Sequence, residues 1–158
     1  MKKIICTFLL AMTAVFANAQ QTNYQAFFET LDKNSANSFK DIMGTENEEE
    51  FYQPCTLKPE IGVLKIHKGA MSTELIWEIP LAQYTQAQKE VKAYIDTKYG
   101  DKTKYQSASE GTEEEGQIWT NVYELKANER PHQIFQTIYY RNDDNPEKSN
   151  FSIVFYGK

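Results

Sequence analysis

The stretch QIWTNVYELKANERPHQIFQTIYYRNDDNPEKSNFSIVFYG, residues 117–157, decides the fold. It holds three runs rich in β-branched and aromatic residues, at 117–126, 132–142 and 150–157. Such side chains fit a pleated, half-buried surface. The connections ANERP and DDNPEKS are short and turn-forming, so the three runs read as antiparallel neighbours. A parallel sheet needs a long crossover, usually a helix, between successive strands, and this stretch leaves no room for one.

Upstream, IGVLKIHKG (61–69) and STELIWEI (72–79) read as two more strands around a turn at Gly69-Ala70. Thr73, Leu75, Trp77 and Ile79 fall on one side and Glu74, Ile76 and Glu78 on the other, the pattern of a strand with one buried face. Pro80 ends it. FYQPCTLKPE (51–60) reads as an edge strand or extended connection, because Pro54 has no amide to give a ladder. The polar segment 101–116 has room for one short strand around Thr103 to Ser107.

Two helices precede these groups. The first starts near Thr22, where Thr22 and Gln25 have capping-box spacing. Tyr24, Phe27, Phe28, Leu31, Phe39 and Ile42 recur near one face, and Gly44 is a natural stop. The weak stretch NSAN (34–37) is a place for it to break. The second starts near Thr85, with Gln88 at the same spacing. Its stripe is Tyr84, Ala87, Val91, Tyr94, Ile95 and Tyr99, and Gly100 closes it. Matching starts and stops raise the prospect of an internal duplication. The expected fold is α+β: an antiparallel sheet of five to seven strands with two helices packed on one face, in the order α-β-β(-β)-α-β-β-β.

The N-terminus has Lys2 and Lys3, an apolar run from Ile4 to Phe16, and the small-x-small site Ala17-Asn18-Ala19. This is the pattern of a cleaved secretory signal over residues 1–19, leaving a single domain over 20–158 and a periplasmic or extracellular destination. The apolar run is too short to span a bilayer, which takes about 20 residues, so integral membrane association is not expected. Removing it takes two lysines and no acid from a chain of 17 basic and 22 acidic residues, so the net charge moves from −5 to about −7. That field repels nucleic acid and attracts a cationic partner.

Of the two cysteines, Cys6 leaves with the signal and Cys55 remains, so no internal disulfide is available. Glu48, Glu49, Glu50 and Glu60 flank Cys55 against a single cation, Lys58, and carboxylates oppose a thiolate. A small buried hydrophobe is therefore the default reading of Cys55, with an intermolecular bridge as the next. No glycine-rich phosphate loop, His-Glu-x-x-His or Gly-x-Ser-x-Gly occurs. No metal or cofactor is implied: the three soft ligands Cys55, His67 and His132 lack local ligand spacing.

The C-terminal runs carry more large rings than one helical layer needs. Trp119, Tyr123, Phe135 and Tyr139 are the candidate binding residues, read as an aromatic platform on the sheet side away from the helices. Acidic loops at 46–50 and 110–115 would form its rim. The expected function is an exported, non-enzymatic domain recognising a protein, peptide or glycan through that aromatic sheet face, with an inhibitor- or immunity-like role as one version. Two alternatives stand beside it: a thiol-dependent hydrolase or transferase using Cys55 with His67 or His132, and a structural component of the cell envelope.

Overall fold

A computed structural model describes residues 23–45, 51–70, 72–112, 116–125 and 132–157. Residues 1–22, which include the expected signal segment, lie outside the described residues, as do the acidic runs 46–50 and 113–115, the connection 126–131, and residues 71 and 158.

The fold is α+β, as the patterning indicates. Helix α1 spans Tyr24–Ser35 and α2 spans Tyr84–Lys98. Seven strands follow in two groups: β1 (Gln53–Pro54), β2 (Val63–Lys68) and β3 (Thr73–Ile79) before α2, then β4 (Thr103–Thr112), β5 (Gly116–Leu125), β6 (His132–Arg141) and β7 (Asn150–Tyr156) after it. They make one sheet in the order β1-β2-β3-β7-β6-β5-β4. Every pairing is antiparallel. Each half is thus a helix followed by a meander, and the meanders join at β3 and β7. The second half has the three strong strands and, ahead of them, the short strand that the sequence left room for at 103–107, which extends to Thr112. No described helix is long and apolar enough to cross a membrane.

Helix ends follow local chemistry. Asn23 caps α1, its side chain accepting from the Ala26 amide at 3.2 Å. The helix stops at Ser35, within NSAN, rather than running to Gly44. Ser38 and Phe39 then take positive φ, which drops Phe39 and Ile42 into the core. A 3-10 turn over Leu81–Gln83 leads into α2, which starts without a side-chain cap. Gly100, at φ +50°, ends it as expected.

Cross-strand register assigns the two sides of the sheet. Trp77 pairs with Ile153, Leu75 with Phe155 and Ile79 with Phe151. Phe155 pairs with Phe135, and Phe151 with Tyr139. Trp119 pairs with Tyr139, and Tyr123 with Phe135. Directly opposed residues share a side, so all of these belong to one surface. Both helices pack on it: Phe28 of α1 meets Trp77 and Phe155, and Tyr94 of α2 meets Phe135. The buried residues here form one cluster around fully enclosed Phe28, Leu31, Trp77, Val91 and Ile153. Beside it, the loop before β2 crosses Trp77, whose indole N–H donates to the Ile61 carbonyl at 2.9 Å. Gly62, at φ +74°, permits this approach: a Cβ there would lie 2.0 Å from the Glu78 carbonyl oxygen.

The opposite surface carries Val63, Lys65 and His67 of β2, then Glu74, Ile76 and Glu78 of β3. One row across it reads Lys65, Ile76, Val154, Gln136, Val122. Both described helices lie on the other side.

Candidate functional site

The four rings singled out in the sequence lie on the helix side, not on the open one. Tyr123 and Phe135 are core residues, 7% and 2% exposed. Burial, reinforced by Tyr105 and Asp96, pushes the Tyr123 phenol up to about 12. Trp119 and Tyr139 are half-buried, and their rings stack at 5.3 Å with Tyr84 of α2 continuing the row at 4.5 Å from Tyr139. The correction has a physical cause. The alternation of β3 fixes which side takes the helices, and the register carries that choice through β7 and β6 to β5. A register shift between Tyr123 and Glu124 leaves Ile134 without a partner on β5, so Ile134 and Phe135 both enter the core. This bulge accounts for the adjacent apolar pair Ile134 and Phe135 in β6.

A different aromatic group faces solvent on the open side. Phe51 is 71% exposed and Val63 54%, and Tyr52 is also exposed. They flank an apolar groove of about 370 Å³ along β1 and the start of β2, lined further by Gln53, Pro54, Leu64 and Lys65. Phe51 stacks on the His67 imidazole at 4.3 Å, and Tyr52 meets Phe51 edge-on at 5.0 Å. The Lys65 ammonium sits 5.6 Å from the Tyr52 ring centre and bonds Glu78 at 2.8 Å. His67 Nδ1 lies 3.4 Å from a Glu74 carboxylate oxygen. The sequence reading passed over Phe51 and Tyr52 because they precede a two-residue strand and show no periodicity. Two adjacent rings ahead of an edge-strand proline were the available signal.

The arrangement favours contact over catalysis. Ser72 donates toward Glu74, which in turn faces His67, so the carboxylate sits between hydroxyl and imidazole. Nucleophilic catalysis needs the imidazole in the middle. The thiol is elsewhere. Cys55 is a free thiol, buried at 7% exposure among core residues, and its backbone forms an isolated antiparallel β-bridge with Met43. His67 projects to the opposite side of the sheet, and β6, which begins at His132, is separated from β1 by three strands, about 19 Å at the usual strand spacing. Burial raises the Cys55 thiol above its ordinary value, against smaller opposing effects of the Leu57 backbone and Lys58. Native protein at neutral pH should therefore react with a thiol reagent only as fast as it unfolds. Following thiol release against a urea melt checks this; rapid stoichiometric labelling of folded protein would restore the reactive-thiol reading.

Among the described residues no three His, Cys, Asp or Glu side chains cluster as metal ligands. No protein-family model matches this chain, and comparison with curated proteins and with solved structures returns no match.

Proposed function

We propose that this is a non-enzymatic binding domain, working outside the cytoplasm once residues 1–19 are removed, that recognises a protein or peptide partner through the open side of its sheet. The observation that carries the reading is the gathering of three exposed large hydrophobics, Phe51, Tyr52 and Val63, around one apolar groove. Exposed aromatics with few rotamers to fix are the usual energetic anchors of contact surfaces. The apolar lining suits a protein side chain better than a sugar, which needs convergent polar groups. The net charge favours a basic partner, and an inhibitor-like role against a basic effector is the version most in keeping with it.

A photoreactive residue placed at position 51 in producing cells tests this directly. A discrete cross-linked adduct is expected from position 51 and not from position 81, which is also exposed but lies beside α2. Phe51→Ala should weaken binding of the recovered partner on the order of tenfold or more, the range of an interface anchor. Equal labelling from both positions, or none from position 51, would reject the groove as the site.

A further inference from the structure

The two edges of the sheet are treated differently. β1 is two residues long and contains Pro54, both of which blunt an edge. β4 is ten residues long and has no proline, and among the described residues β5 is its one neighbour in the sheet. In its sequence TKYQSASEGT, Ser107 lies midway between one basic and one acidic residue, Lys104 and Glu110. An antiparallel copy centred there sets position 104 against 110, 105 against 109, and 106 against 108. Lys104 and Glu110 are the charged residues of β4, and this register opposes them twice. On the helix side, Tyr105 is 56% exposed and Ser109 is exposed. The same register puts the Tyr105 ring of one copy opposite the small Ser109 of the other, beside the end of the Tyr84, Tyr139, Trp119 ring row.

We infer that β4 is a self-association edge. Two copies pair antiparallel through β4 about a two-fold axis at Ser107, extending the sheet across the dimer. Edge amides and carbonyls gain partners, Tyr105 is covered, and two opposite-charge pairs set the register. The other edge is already covered by residues 42–44, where the Gly44 amide donates to the Pro54 carbonyl at 2.7 Å and the Thr56 amide to the Ile42 carbonyl at 2.8 Å. The Phe51 groove lies at the far end of the sheet from β4 in each copy, so this inference does not depend on the proposed function.

Light scattering and sedimentation of the purified chain should give a dimer. Lys104→Glu and Glu110→Lys, each alone, put like charges opposite one another twice and should raise the dissociation constant by about tenfold or more. The double reversal K104E/E110K restores both pairs and should recover dimerisation. Ser107→Cys should cross-link to its own copy on oxidation, while Thr97→Cys on the exposed face of α2 should not. A monomer at the highest soluble concentration overturns the inference. So does a dimer indifferent to both single reversals and unlinked by the position-107 cysteine. Circular dichroism confirms that each variant is folded, so loss of pairing is read apart from loss of fold.

Discussion

Replacing Trp77 with alanine lowers the unfolding free energy by about 3–5 kcal/mol, the range for deleting a large buried aromatic. The side chain is fully enclosed, and its ring meets Phe27 at 4.8 Å, Tyr24 at 5.7 Å and Phe28 at 5.9 Å. It therefore joins α1 to the centre of the sheet. Its indole N–H also holds the Ile61 carbonyl, and Gly62 lets the loop close over it. Alanine leaves both a cavity and a lost hydrogen bond. Phenylalanine keeps most of the ring and loses the donor, so Trp77→Phe should cost less, about 1–2 kcal/mol. Urea melts followed by far-ultraviolet circular dichroism measure all three proteins. Trp119→Ala is the comparison: half-buried at the margin of the helix layer, it should cost less than Trp77→Ala. Equal losses at the two tryptophans would contradict the assignment of one to the core and the other to its border.

That contrast shows where the sequence is legible. In β3 the alternation of Leu75, Trp77 and Ile79 with Glu74, Ile76 and Glu78 is a direct image of burial, and the structure repeats it. The α2 stripe is equally direct: Ala87, Val91, Tyr94 and Ile95 are its buried residues. β4 was only partly legible. YQSAS has no apolar period, and its strand conformation comes from pairing along its whole length with β5, a non-local contribution. The sides of β5 and β6 were illegible for another reason. Both sides carry large apolar residues, Trp119 and Tyr123 against Ile118 and Val122, so local pattern gives no vote. The vote comes from β3, two strands away from β6 and three from β5, through register. The same limit hid the Phe51 group. Its geometry depends on His67 of β2 arriving beneath the Phe51 ring, which no feature of residues 51–54 encodes.

Asp32 gives the second large effect, and one with a pH signature. It is 6% exposed on α1 and ties that helix to α2. One carboxylate oxygen accepts from the Tyr99 hydroxyl at 2.6 Å, the Lys98 ammonium at 2.7 Å and the Tyr94 hydroxyl at 3.3 Å. Asp32→Ala strands these donors, and the half-exposed Lys98 can turn to water, so the expected loss at neutral pH is about 2–4 kcal/mol, toward the lower end of what breaking a buried pair costs. Burial pushes the Tyr94 phenol up to about 12, with Lys98 opposing and Asp32 adding to the rise. Burial and then the Asp32 carboxylate push Tyr99 well above its ordinary value, and bonds to Asp32 and Tyr94 outweigh burial to raise Lys98. Each group holds its proton more tightly folded than unfolded. The stability this represents is therefore complete below the unfolded values, near 10 for the phenols and 10.5 for the lysine, and is lost as pH rises toward and beyond 12. Native protein should be level in stability from neutral pH to about 9 and fall steeply above 10. Without the carboxylate, Tyr99 and Lys98 lose the interactions that hold their protons, so the Asp32→Ala curve should fall less and approach the native one. Urea melts at neutral and strongly alkaline pH read both effects, with Tyr99→Phe as the partial case. A gap between native and Asp32→Ala that stays constant through that window would mean Asp32 acts only by packing, because nothing but its charge distinguishes the two proton affinities.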